Sequence, residues 1–230
     1  MFFDTAGEAI GGGRNIFQQE SSFDLSGGGF VVATYGPCWI QAPEQHEYVT
    51  WLSARLKGSF RFINVPLRTD WQGPFEIADR APRPFVTGVP HSDGATFPDG
   101  AGYSQATVWG RFVANAALGA GRVRIRIYNA SRPLRWSDWF AVYHTGGKGW
   151  RAYRYWDIIA NHGTGTETGV PYREYTLAIG PALREAVTNG QRIEFARPRF
   201  AAKVRVGSRI VNDIEGFWMM RPTLEFEEAL

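Results

Sequence analysis

The sequence predicts a mainly β protein: an antiparallel β-sandwich or barrel with one amphipathic α-helix over about 44–57, a short second helix over about 181–188, and a long Pro/Gly-rich insertion. Three observations carry this prediction. Apolar and polar residues alternate with period two over most of the chain. Turn signals divide these runs at roughly 8–12-residue spacing, the pattern of a sandwich or barrel. No strand–helix alternation supports a parallel sheet. The 230 residues are 44% hydrophobic and 15% aromatic with a net charge of +3, which excludes a mainly disordered chain and is too weakly basic for a dedicated nucleic-acid binder. No run approaches the ~20 apolar residues of a spanning helix, so no membrane insertion is expected.

Residues 1–29 read as a Gly-rich N-terminal arm, and residues 30–230 as a single β-rich domain. Gly11-Gly12-Gly13 and Gly27-Gly28-Gly29 favour no regular element. Phe2, Phe3, Ile16, Phe17, Phe23 and Phe30 are nevertheless too apolar for a solvated linker. An arm docked on a neighbouring subunit reconciles the two features, with a disordered tail as the alternative. From Pro43, Tyr48, Trp51, Leu52 and Leu56 recur at helical spacing. Glu44 and Glu47 in the first turn and Lys57 in the last suit the helix dipole, and Gly58 supplies the stop. This helix is expected to lie on a sheet.

Strands are then expected at 59–65, 104–115, 119–129, 138–144, 150–159, 172–179, 192–196, 200–206 and 214–220. Gly146-Gly147-Lys148-Gly149 signals a hairpin between two of them. On the run from Arg122 to Tyr128, Val123, Ile125 and Ile127 take one face and Arg122, Arg124 and Arg126 the other. Pro181 near its start and Asn189-Gly190 at its end frame the second helix. The insertion, 69–102, is long enough to bind a partner.

Catalytic patterns are sparse. His46, His91, His144 and His162 form no pair at metal-ligand spacing. No Gly-x-Ser-x-Gly occurs, and Gly119-Ala120-Gly121 leads into a strand rather than a phosphate-binding helix. Cys38 is the one cysteine and reads as a small apolar side chain. With no basic or long apolar leader in Met1–Glu8, the expectation is a chain made in a reducing cytoplasm. Asp138, Asp157, Glu174 and Glu194 are the carboxylates that a glycan-degrading enzyme would pair across a glycosidic bond, but exposed strand and turn acids are the simpler reading. The Arg122/Arg124/Arg126 row and the basic stretch 197–205 suit an acidic neighbour or a solvated face more than a phosphate backbone. No catalytic, cofactor-binding or metal residue is assigned, and no cofactor is expected.

Ala54-Arg55-Leu56-Lys57-Gly58 leads into a strand and then the insertion. Leu118-Gly119-Ala120 opens the alternating strand to Tyr128, followed by Asp138-Trp139-Phe140 and Tyr153-Arg154-Tyr155. The closing block runs Ile179-Gly180-Pro181-Ala182-Leu183-Arg184-Glu185-Ala186-Val187, then Gly190-Gln191-Arg192-Ile193-Glu194-Phe195 and Pro198. In this order the residues resemble the distal-tail, tail-tip (baseplate) proteins of long-tailed, siphovirus-like bacteriophages, over about two-thirds of the chain. Trp136-Ser137 departs from the small residue usual before Asp138, and the arm has no counterpart. The resemblance implies a non-enzymatic virion protein of the tail tip, made in the host cytoplasm. It implies a ring, commonly hexameric, that joins the tail tube to the hub and tail fibres, with the tape measure protein as a further partner. A carbohydrate-binding β-sandwich for host adsorption is the alternative, with Trp136 and Trp139 as its aromatic residues.

Overall fold

The computed structural model describes residues 2–7, 9–14, 16–17, 20–24, 28–67, 86–89, 103–105, 108–130, 132–136, 138–147, 149–167, 169–208, 210, 214–215 and 219–230. The strands are β1 (Phe2–Ala6), β2 (Ala9–Arg14), β3 (Glu20–Asp24), β4 (Phe30–Tyr35), β5 (Phe62–Pro66), β6 (Val86–Val89), β7 (Tyr103–Gln105), β8 (Trp109–Phe112) and β9 (Arg122–Tyr128). There follow β10 (Trp139–His144), β11 (Gly149–Glu167), β12 (Val170–Gly180), β13 (Arg192–Glu194), β14 (Arg199–Val204), β15 (Ile214–Glu215), β16 (Met219–Met220) and β17 (Leu224–Glu228). The single helix among the described residues, α1 (Pro43–Leu56), lies between β4 and β5. Mainly antiparallel β architecture with one helix is therefore what forms.

The chain divides into two compact units: residues 1–67, 144–151 and 199–230 in one, and 68–143 and 152–198 in the other. The sequence reading is an arm, 1–29, and one domain, 30–230. Outside the Val86–Val89 strand, the insertion at 69–102 falls outside the described residues.

The first unit holds a five-stranded sheet in the order β1-β4-β17-β14-β5. Phe2–Ala6, expected in the arm, pairs along its whole length with Phe30–Thr34. The aromatic residues explain the docking: Phe3 meets Tyr35 edge-on at 5.5 Å, and Tyr35 meets Phe226 at 6.1 Å, one ring from each of β1, β4 and β17. The Tyr35 hydroxyl donates to the Pro66 carbonyl. At the same sheet, the buried Arg151 Nη1 lies 3.3 Å from Glu228 Oε1 and donates to the Ala229 carbonyl at 2.8 Å. The second Glu228 oxygen accepts the Val31 N–H at 3.2 Å.

Helix α1 forms where expected, with Leu52 and Leu56 of the expected stripe buried and Tyr48 and Trp51 not. Val49, Leu52 and Leu56 are buried, with Val49 packed beside Ile40 and Met220, while Tyr48 and Trp51 are exposed. At about 100° per residue, Val49, Leu52 and Leu56 fall within about 60° of one another, and Trp51 lies well off that stripe. Lys57 adopts a left-handed conformation and its N–H bonds the Ser53 carbonyl, closing the helix just before Gly58.

The second unit is a closed six-stranded barrel, β10-β11-β12-β9-β8-β13. Phe112, Val123, Ile125, Ile127, Phe140, Tyr153, Tyr155, Tyr175, Leu177, Ile179, Ile193 and Phe195 belong to its core. The predicted helix at 181–188 does not form. Leu183 and Val187 keep their helical spacing and both enter the core, but their backbone groups bond outward. Leu183 N–H donates to Ala120 O and Gly119 N–H to Leu183 O; Val187 and Ala116 exchange both bonds. A segment whose peptide groups are satisfied by a neighbouring segment has no need of a helical ladder. The predicted 214–220 strand is instead two short paired strands, β15 and β16.

Strand β11 runs eight residues past its expected end at 159. Its ladder with β12 slips at three places, leaving Trp156, Ile159 and His162 as extra residues. Each bulge increases the local twist and bends the strand.

Replacing Glu228 with Gln leaves Arg151 buried without its charge partner. Urea unfolding is expected to show a loss of about 3 kcal/mol or more, whereas a change within about 0.5 kcal/mol would contradict the buried pair.

Candidate functional site

Barrel closure forces alternate residues of β13, β8, β9 and β12 to opposite faces. Register then assembles the outward residues into two rows. The first is Glu194, Trp109, Tyr128, Tyr172 and Gly165, each opposite the next across neighbouring strands. The second, one pair along, is Arg192, Arg111, Arg126, Glu174 and Gly163. The rows interlock diagonally: Arg192 lies 5.3 Å from the Trp109 ring centre, Arg111 5.6 Å from Tyr128, and Arg126 4.5 Å from Tyr172. Trp109 and Tyr128 stack at 4.2 Å. Every arginine thus covers the aromatic ring of the next strand, a cation–π pair at diagonal sheet spacing.

Two carboxylates tie the rows together. Glu174, buried in mid-sheet, accepts from Arg124 Nε at 2.7 Å and from Arg126 Nε at 2.6 Å. Glu167 accepts from Arg111 Nη2 at 2.6 Å and 2.7 Å, from Arg126 Nη1 at 3.2 Å, and from the Tyr128 hydroxyl. Burial works to raise the Glu174 carboxyl, and hydrogen bonds from Arg126 and Arg124 outweigh it, so its pKa ends below the ordinary value. Hydrogen bonds from Tyr128 and Arg111 likewise hold Glu167 low. Burial raises the Tyr128 phenol.

Gly165 gives the ladder room at its end. A Cβ there would stand 2.6 Å from Cζ and Oη of Tyr172. A glycine opposite a tyrosine lets that ring lie over the backbone.

The predicted arginine row is present, and the acids that answer Arg124 and Arg126 are the chain's own. Arg122, at the start of β9, is exposed. The predicted carboxylates do not pair with one another. Asp138 is held by Arg132 through two contacts of 2.7 Å and by the Arg135 N–H at 2.8 Å. Glu194 accepts the Ala196 and Arg197 N–H groups at 2.9 Å and 3.2 Å. Glu174 is engaged as above, and Asp157 is exposed beside a bulge.

In the basic stretch, Arg199 lies over the Trp150 ring, Lys203 meets Glu227 at 3.3 Å and Arg205 meets Glu225 at 4.0 Å. Of the histidines, His46 Nδ1 lies 2.7 Å from Met220 Sδ, His144 is buried in β10, and His162 Nε2 is 2.9 Å from the Thr176 hydroxyl. His91 lies outside the described residues. Cys38 is half-buried against Ile40, Val49 and Met220, and burial pushes its thiol up. Among the described residues, no group of three or more His, Cys, Asp or Glu side chains is placed to hold a metal ion. No helix among them is long and apolar enough to cross a membrane. Trp139 is buried, whereas Trp136 is 63% exposed and stacks on Tyr155 at 5.7 Å.

The aromatic row was missed in the sequence. Trp109, Tyr128 and Tyr172 lie on separate strands, and their alternation with Arg111, Arg126 and Glu174 two residues away was the available signal. The chain matches no protein-family model and no curated protein.

Glu174→Gln is expected to cost about 1–2 kcal/mol at neutral pH. Because the folded Glu174 value lies below the ordinary one, its contribution is complete above about 4.5 and is lost as pH falls through the lower folded value. Wild-type and variant stabilities should therefore converge in acid; urea midpoints that stay equally far apart would refute this. Gly165→Ala should displace Tyr172 and destabilise by about 1–3 kcal/mol, read from the same unfolding curves.

Proposed function

We propose that this chain is a virion structural protein of the tail tip of a long-tailed bacteriophage. It assembles into a ring that joins the tail tube to the hub and receptor-binding apparatus. The observation that carries this reading is the aromatic surface left uncovered on the first unit. Tyr48 and Trp51 meet in a tilted arrangement with ring centres 5.7 Å apart on the outer side of α1, and are 59% and 56% exposed. Trp39, Phe60 and Phe62 are exposed on the same unit. Large aromatic side chains left in solvent mark surfaces that a partner covers, and aromatic anchors dominate the energetics of such interfaces. Among the described residues, β1 and β5 are the outer strands of the five-stranded sheet, and an outer strand is a surface that another chain can extend. A head-to-tail contact that closes on itself makes a ring. The sequence resemblance points to the same assembly, with the tail tube and hub proteins as neighbours.

Exposed Trp136 favours a second reading, carbohydrate binding for host adsorption. Its ring is open to solvent and held flat by Tyr155. Buried Trp139 has no part in this version.

Light scattering on the purified chain is the first test. A truncation of the N-terminus would remove β1 from the sheet, so the informative variant is Tyr48→Ser/Trp51→Ser. Wild type is expected at the mass of a ring of about six copies, and the variant at lower mass with an unchanged circular dichroism spectrum. A wild-type chain that stays monomeric at all concentrations, and is retained by glycan-coated beads through Trp136, would replace the first reading with the second.

A further inference from the structure

The inward positions of β12 are Arg173, Tyr175, Leu177 and Ile179. The last three are buried in the barrel core. Arg173 stands opposite Ile127 on β9 and Thr164 on β11, at the end of the barrel where the β11–β12 hairpin continues past the last residue of β9. A charge on the inward face of a closed barrel needs a counter-group or solvent. On the outward face, Arg111, Arg124 and Arg126 each hold a carboxylate. Among the described residues, Arg173 holds none, and the Thr164 and Thr166 hydroxyls are equally without a hydrogen-bond partner.

These three side chains line one pocket of about 350 Å³. Ile127, Ala130 and Pro171 supply its apolar wall. That volume is at the small end of ligand sites, which run roughly 300–1,000 Å³, and the composition of an apolar wall with a few converging polar groups is theirs too. A guanidinium presents a planar fork of donors that fits the two oxygens of a carboxylate or phosphate, and hydroxyls on either side complete the coordination.

We propose that this pocket at the barrel mouth binds the carboxylate or phosphate group of a ligand of monosaccharide size. Arg173 grips the anion, Thr164 and Thr166 bond its oxygens or neighbouring hydroxyls, and the Ile127–Ala130–Pro171 wall covers the ligand's apolar side. This does not depend on ring formation, because every lining residue belongs to the barrel unit.

Calorimetric titration of the full chain with galacturonate, with inorganic phosphate and with neutral galactose tests it. Saturable binding of at least one anion is expected, about tenfold or more tighter than galactose. A stronger response to galacturonate assigns a carboxylate ligand, and a stronger response to phosphate assigns a phosphate one. Arg173→Gln should weaken that binding about tenfold or more, and Thr164→Val, at an exposed position, about threefold. Arg122→Gln, which removes an exposed charge outside the pocket, should leave it unchanged. The unfolding midpoint of each variant separates lost binding from lost folding. No saturable binding of either anion up to about 10 mM overturns the proposal. So does binding that survives Arg173→Gln in the folded variant, or that falls equally with Arg122→Gln.

Discussion

Closure of the six-stranded barrel commits each residue of β9 and β12 to one of two environments, and little in the second unit escapes that constraint. Val123, Ile125 and Ile127 go inward because a barrel of this size is filled by side chains. The alternating arginines must then stand outward, side by side with those of β8 and β13. Three arginines opposite one another would repel and splay the sheet. The chain resolves this with Glu174 and Glu167 placed between the guanidinium groups, and with an aromatic ring beneath each of Arg192, Arg111 and Arg126. The outward face becomes a layer in which Arg111, Arg124 and Arg126 are answered by the chain's own carboxylates.

That arrangement bears on function by elimination of one role and the opening of another. Arginines already bound to the chain's own carboxylates have less capacity for a passing polyanion. Exposed side chains outside this layer are of two kinds among the described residues. In the first unit they are apolar, on the outer side of α1 and near β5. In the barrel they are polar, at the mouth, where the inward row changes from core residues to Arg173 and the threonines of β11. The two kinds of surface carry the two proposals, a protein partner for the first and a small anion for the second.

Much of the barrel was legible in the sequence because a two-residue period survives in any environment that has an inside and an outside. The 122–128 and 139–144 strands are examples; in the first unit, the helix beginning at Pro43 was legible from its own 3.6-residue period. What failed did so where local pattern and long-range bonding conflict. Residues 181–187 have helical spacing and a helix-compatible composition, yet their peptide groups pair with the 116–120 segment. Residues 160–167 carry two glycines and polar side chains, with no strand signal, yet β12 holds them in a ladder with a bulge at His162. Phe2–Ala6 looked like part of an arm because nothing local reveals that β4 has a free edge waiting for it.

The candidate sites divide in the same way. The arginine row on β9 followed directly from alternation, and so did its outward direction. Its partners did not, because Glu174 and Glu167 lie about 40–50 residues away, and only register places one carboxylate between two guanidinium groups. Tyr48 and Trp51 share the helical spacing of Leu52 and Leu56; which of two overlapping apolar stripes is buried follows from Ile40 and Met220, which pack with Val49. The sequence by itself determined the class of fold, the helix beginning at Pro43 and the two faces of the long strands, since these depend on periodicity along the chain. The tertiary structure alone decided which edge, stripe or charge is answered by the protein and which is left open, since that depends on contacts between residues far apart in sequence.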